Sequence, residues 1–120
     1  MTRSLQTSET LFQDLRSLII GARQDVARTV NSALVLLYWR VGRRIRQDIL
    51  REKRAGYGEE IVPTLSTQLV SEFGEGFSKR NLFTMIRFAE VFLDEQIVVT
   101  LSRQLGWSHF VTIIPVYKIS

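Results

Sequence analysis

Ser78-Lys79-Arg80-Asn81 stands directly ahead of an apolar-periodic run, Leu82, Met85, Ile86 and Ala89, so the four residues read as the start of a helix. A helix N-terminus already carries about half a positive charge, and basic side chains are disfavoured there. Lys79 and Arg80 therefore either splay into water or face an anion. Lysine or arginine donates to guanine or to phosphate, and asparagine pairs bidentately with adenine. Ser78 and the free N–H groups of the first turn suit a phosphate. Upstream, "TLSTQLVSEF" is helical and "GEGF" is a turn, which gives a helix–turn–helix order. In that motif the first helix braces across the DNA backbone and the second offers its N-terminal residues to the major groove. The turn, with two glycines and a phenylalanine, is longer than the usual three or four residues with one glycine. An ordinary helical hairpin with solvated Lys79 and Arg80 is the competing reading.

A second cationic group lies earlier. Arg40, Arg43, Arg44, Arg46, Arg51, Lys53 and Arg54 crowd one segment, opposed there only by Asp48 and Glu52. Arg40, Arg43, Arg44 and Arg51 fall on one broad side of a helix, where they could track a phosphate backbone. The bland alternative is a solvated face. Tyr38, Trp39, Tyr57 and Phe77 sit within apolar runs and read as core, not as base-stacking groups.

Other chemistries find little support. The chain has no cysteine and one histidine, so thiolate metal sites, disulfides and cysteine nucleophiles are excluded and a zinc site is improbable. Ser108-His109 has no partner acid, and adjacency does not make a triad. Glu59-Glu60 and Asp94-Glu95 are neighbours that diverge on a helix. Gly74-Glu75-Gly76 lacks the third glycine, the Lys-Ser/Thr pair and the strand of a nucleotide loop. No cofactor and no metal is expected, and no catalytic residue is assigned.

The elements that position these groups are helical throughout. From residue 8 to 54, apolar residues recur every three or four positions, from Phe12 and Leu15 through Val41, Ile45 and Ile49. Ser8 is a plausible N-cap. A run this long is unusual for one globular helix, so two pieces are expected, a kinked pair or a hairpin, broken at Gly21 or over 29–32, with Asn31 capping the second. "ALVLLYWRVG" is apolar nearly all round, which predicts burial on several sides, one of them against a second subunit. Gly56 and Gly58 end the basic helix. Glu59 and Glu60 suit the next first turn, with Pro63 tolerated near it. That helix stops at Gly74, and the helix capped by Ser78 runs to about Leu93. A short helix to Leu105, a turn at Gly106 and a last helix from Ser108 to about Ile114, ended by Pro115, form a second helix–turn–helix-like unit.

The 120 residues are 45% hydrophobic and 23% charged, enough for one folded domain and too few for two. Net charge is +4, unevenly spread: residues 1–60 hold 11 Lys/Arg against 7 Asp/Glu, and residues 61–120 hold 5 of each. That asymmetry points to an anionic partner, nucleic acid ahead of acidic lipid. "ALVLLYW" is far too short to span a bilayer, and no secretory signal is legible at the start. A soluble, cytoplasmic protein is expected.

"VNSALVLLYWRVGRRI", "GYGEEIVPTLSTQLVSEFGEGFSKRNLFTMIRFAEVF" and "LSRQLGWSHFVTII", in this order, resemble the N-terminal domain of the YhcG family. The likeness runs over about residues 10–114. In that family of bacterial proteins this helical domain precedes a PD-(D/E)XK-type nuclease domain, and the resemblance implies a module that binds DNA or mediates assembly. The nuclease motif needs an acidic residue and then E-x-K or D-x-K on neighbouring strands. No such pair is present, and Glu52-Lys53 is contiguous and helical, so nothing catalytic carries over. The tail "VYKIS" carries no stop signal, which is the expectation for a shortened product or an isolated domain.

The reading is an all-α chain: one helical domain over 1–120, with a helical arm over 8–54 and a helix–turn–helix-like region over 58–114. It predicts a DNA-binding module, on double-stranded or branched DNA, that is not itself an enzyme and works with a nuclease domain or partner protein. Ser78, Lys79, Arg80 and Asn81 are the readers, and Arg40, Arg43, Arg44 and Arg51 the auxiliary contacts. The alternative is homo-oligomerisation, as a dimer through the N-terminal helices, or protein interaction without nucleic acid.

Overall fold

One helix sets the dimensions of the molecule. In a computed structural model that describes the backbone of residues 2–116 and the side chains of residues 9–115, α1 runs unbroken from Thr2 to Glu52. At 1.5 Å per residue, 51 residues extend about 76 Å, and the longest extent is 80 Å. The radius of gyration is 21.1 Å, where a compact chain of this length would have about 14 Å. The expected division into two pieces is therefore corrected. Ser8 lies inside the helix and not at its cap, and neither Gly21 nor the 29–32 stretch interrupts it.

The polar residues that suggest a break have other partners. Asn31 Nδ2 donates to the carbonyls of Ser102 (3.4 Å) and Leu105 (3.3 Å), and Ser32 Oγ donates to Ser102 O at 2.9 Å. These carbonyls belong to the last turn of a later helix and the loop beyond it, which lack intrahelical donors. Asn31 thus secures another helix's C-terminus instead of capping its own.

After α1 the chain reverses through two left-handed residues, Lys53 (φ 55°) and Gly56 (φ 79°). Helix α2 follows, Tyr57–Phe73, with Glu59 and Glu60 in its first turn. Pro63 is its seventh residue, deeper than expected, and removes one backbone donor from the ladder. A 3-10 turn over Glu75–Phe77 leads to α3, Lys79–Val91, then α4, Glu95–Ser102, and α5, Trp107–Ile113. A second 3-10 turn, Ile114–Val116, holds Pro115. The helix expected to reach Leu105 ends at Ser102, and the last begins one residue earlier than expected. Residues 117–120, including most of the "VYKIS" tail, lie outside the described residues. Every regular element among the described residues is helical, so the fold is all-α.

All of α2 to α5 packs on the second half of α1. Helix α3 crosses it so closely that a Cβ on Gly42 would stand 1.9 Å from the Met85 carbonyl oxygen. On one side of the crossing Val35, Trp39, Phe88, Val98, Phe110 and Ile114 form a core. On the other, Tyr38, Ile45, Val62, Leu82, Met85 and Ile86 form a second. Trp107 bridges the two, 4.8 Å from Tyr38 and 5.7 Å from Phe88 between ring centroids. From residue 9 to 30 only Gly21 is even partly covered, and every other residue of that stretch is exposed.

Candidate nucleic-acid interface

Local sequence builds the start of α3. Ser78 is its N-cap, extended at φ −57° and ψ 157°, and its Oγ accepts from the Asn81 N–H at 3.3 Å. Asn81 Nδ2 donates to the Gly76 carbonyl at 3.2 Å, which ties the turn to the helix. Ser66 Oγ of α2 donates to the Phe77 carbonyl at 3.0 Å, and Phe77 packs edge-on against Tyr38 at 5.9 Å. The four residues are thus brought together on a braced turn. Lys79 and Arg80 are exposed, and no acid lies in the first turn of α3. Among the described residues no ion pair involves either cation. Asn81 is half-buried with its amide engaged on Gly76, so in this conformation it shapes the turn.

The arginines of α1 are arranged differently. Arg40 Nε donates to Glu95 Oε1 at 2.8 Å. Asp48 receives Arg51 at 2.7 Å and Arg44 at 3.8 Å. Arg54 pairs with Glu60 at 2.9 Å. The Arg43 guanidinium lies 5.4 Å from the centre of the Trp39 ring, within cation–π range. Three of the four predicted auxiliary contacts, Arg40, Arg44 and Arg51, are therefore matched by carboxylates of their own chain. Such exposed pairs are worth little and exchange readily, so the matching lowers the local potential without fixing the side chains. Arg46 and Lys53, not among the expected site residues, have no carboxylate partner among the described residues.

Nor does Arg40 join Lys79 and Arg80 in one patch. The N-terminal end of α3 lies beside Tyr38 through Phe77, whereas its C-terminal end lies at Trp39, whose Nε1 donates to the Phe92 carbonyl at 2.7 Å. Arg40, paired with Glu95 just past α3, is at that far end, roughly the 20 Å length of a 13-residue helix from Lys79. Only tertiary contacts reveal this separation.

Asp48 and Tyr57 perturb each other. The Tyr57 hydroxyl donates to Asp48 Oδ2 at 2.7 Å. That bond holds the carboxyl below its ordinary value, helped by Arg51 and Arg44 and opposed by burial. The same bond pushes the Tyr57 hydroxyl up. The cluster joins α1 to α2 through the Tyr57–Asp48 bond, with Glu52 also bearing on Tyr57, so it reads as a fastening. His109 likewise fastens: its Nδ1 accepts from the Gly106 N–H at 3.2 Å at the start of α5. Among the described residues no group of three or more His, Cys, Asp or Glu side chains is placed to hold a metal, and no helix is long and apolar enough to cross a membrane.

Comparison with known proteins agrees with the resemblance read from the motifs. The chain is 35% identical over 89 residues to a protein of Escherichia coli (strain K12) named "Putative nuclease YhcG", a match that covers 73% of this chain and 24% of that protein. The chain thus matches about a quarter of the relative's length. No solved structure matches. The pattern that defines the DUF1016 N-terminal domain matches residues 14–119, and the chain belongs to that family, as the N-terminal domain of a YhcG-type protein.

Proposed function

We propose that this chain is a single helical domain that binds DNA and targets a nuclease of its family, with the end of α3 as its contact. The observation that carries the reading is the charge at Ser78–Asn81. Lys79 and Arg80 add cations to an electropositive helix end, without an acid in that turn, on a turn braced by Ser66, Ser78 and Asn81. Arg40, Arg44 and Arg51 are by contrast paired within the chain. Lys79 and Arg80 contact phosphate or guanine, Ser78 keeps the helix end open, and Asn81 holds the turn. Arg43 is the auxiliary contact with fewest internal claims. The chemistry of strand cleavage belongs to the nuclease, the chain itself supplying no catalytic group, and the absence of cysteine suits a reducing cytoplasm. The name of the E. coli relative supports a setting on nucleic acid.

Fluorescence anisotropy with labelled duplex, branched and single-stranded DNA at several salt concentrations tests this. Lys79→Ala/Arg80→Ala is expected to weaken binding and flatten the slope of log K against log salt by roughly two units, one for each phosphate no longer neutralised. Arg40→Ala and Arg51→Ala are expected to change it less. Unchanged binding in the double variant would remove Lys79 and Arg80 from the interface. No binding by the parent chain at low salt would remove DNA.

A further inference from the structure

The apolar stripe of the projecting half of α1 is nearly symmetric about Val26. Phe12, Leu15, Ile19 and Ala22 precede Val26 by 14, 11, 7 and 4 positions. Val30, Leu34, Leu37 and Val41 follow it by 4, 8, 11 and 15. At 100° per residue these positions share one face of the helix, roughly opposite the face on which Val35, Trp39 and Gly42 meet α3 to α5. From Phe12 to Leu37 the larger side chains of the stripe are 39–63% exposed. Together they leave roughly 600 Å² of apolar surface uncovered, taking on the order of 150 Å² for each whole side chain. That is at the upper end for a patch on a monomer and approaches the ~800 Å² per partner of a standard interface.

From this spacing we infer that two copies of the chain pair through α1 in antiparallel fashion, with the twofold axis at Val26. Val26 then meets Val26 of the second copy, Ala22 meets Val30, Ile19 meets Leu34, Leu15 meets Leu37 and Phe12 meets Val41. Such an isologous contact closes on itself. Beyond Leu37 the stripe runs into an apolar pocket of about 290 Å³ between α1 and α2, lined by Arg40, Val41, Arg44, Ile45, Leu65 and Leu69. The second copy's Phe12 comes level with it. Parallel pairing in register would instead set Arg40 and Arg44, near the angular middle of the stripe, each beside its own copy, a like-charge arrangement that costs affinity. The paired face is distinct from the end of α3, so the inference does not rest on the DNA-binding reading.

Because the chain has no cysteine, single cysteines report the geometry directly. Under oxidised glutathione, Val26→Cys is expected to yield a disulfide-linked dimer. Leu15→Cys alone and Leu37→Cys alone are expected to remain unlinked, while an equimolar mixture of the two gives a mixed dimer. Gln24→Cys, on the far face of the helix, serves as the collision control and stays unlinked. Self-linking of Leu15→Cys would overturn the antiparallel order. A monomer mass by sedimentation equilibrium at ~100 μM, together with failure of Val26→Cys to link, would overturn the pairing itself. Val26→Asp sets two carboxylates at the axis and is expected to raise the dimer dissociation constant at least about tenfold. Its helical circular dichroism should be unchanged, because position 26 supports nothing within its own chain.

Discussion

The two halves of α1 carry the same three-and-four spacing of apolar residues and have opposite fates. Between residues 31 and 52 the helix is covered on one side, with Val35 and Trp39 on one flank and Tyr38 and Ile45 on another, each under the helices that follow, while Leu34 and Leu37 stay exposed. Between residues 9 and 30 the stripe is just as regular, but no later element reaches it. Periodicity specifies a helix and a buried stripe; it does not say whose atoms do the burying. What distinguishes the halves is the set of residues between the apolar ones. The covered half has Gly42 where another backbone must approach, and Asn31 and Ser32 where another helix needs donors. The projecting half has Gln13, Ser17, Gln24 and Arg28 on that face, all of them exposed.

Glycine gives the sharpest test of this contrast. Gly42→Ala puts a methyl group 1.9 Å from a backbone oxygen of α3. Backbone cannot step aside as a side chain can, so the crossing must open. The expected cost is about 3 kcal/mol or more, above the usual range for overpacking. Gly21→Ala is the same substitution in the same helix, with nothing within 4 Å of the new carbon. There it should stabilise the chain by about 0.5–1 kcal/mol through helix propensity. Urea denaturation of both variants measures the pair, and a common sign would break the comparison.

The boundary between the halves is the next place to press. Asn31→Ala deprives the Ser102 and Leu105 carbonyls of a donor at the end of α4. A loss of about 1 kcal/mol is expected, chiefly for the Leu105 carbonyl, since the Ser102 carbonyl keeps the Ser32 hydroxyl. Gln24→Ala is the control in the projecting half, another amide side chain removed from the same helix. It should fall within ~0.5 kcal/mol of the parent. If Asn31→Ala were equally silent, the later helices would be held by apolar packing alone.

How much is legible in the sequence follows from range. Ser78 as a cap, the Gly74 stop, the acidic first turn of α2 and the buried positions of α3 all depend on residues within four or five of one another, and in each the structure agrees with the local pattern. The continuity of α1 is hidden because Asn31 and Ser32 look like breakers until their partners, some 70 residues away, are known. Arg40 looks free for the same reason, since Glu95 lies 55 positions downstream. The opposite ends of α3 to which Lys79 and Arg40 belong, and the close approach at Gly42, exist only once the helices cross.

The smallest expected effect concerns a motif present in both halves, an aspartate with an arginine three residues on. In the projecting half Asp25 and Arg28 pair at 3.2 Å with both side chains largely in water, a geometry of little energetic consequence. In the covered half Asp48 pairs with Arg51 at 2.7 Å and also accepts the Tyr57 hydroxyl. The Asp48 carboxyl is held below its ordinary 3.8, by Tyr57 first. A depressed carboxyl contributes stability that is present above its unfolded value and lost as pH falls through the folded one. Tyr57, raised above its ordinary 10.0 by the same bond, contributes stability that is present below that value and lost as pH rises through the folded one. The melting temperature of the parent should therefore exceed that of Tyr57→Phe by a constant margin from about pH 5 to 9, narrowing below ~4 and above ~10. A pH-independent margin for Tyr57→Phe would mean that the hydroxyl acts by packing, and the two aspartate–arginine pairs would then differ in neighbours but not in electrostatics.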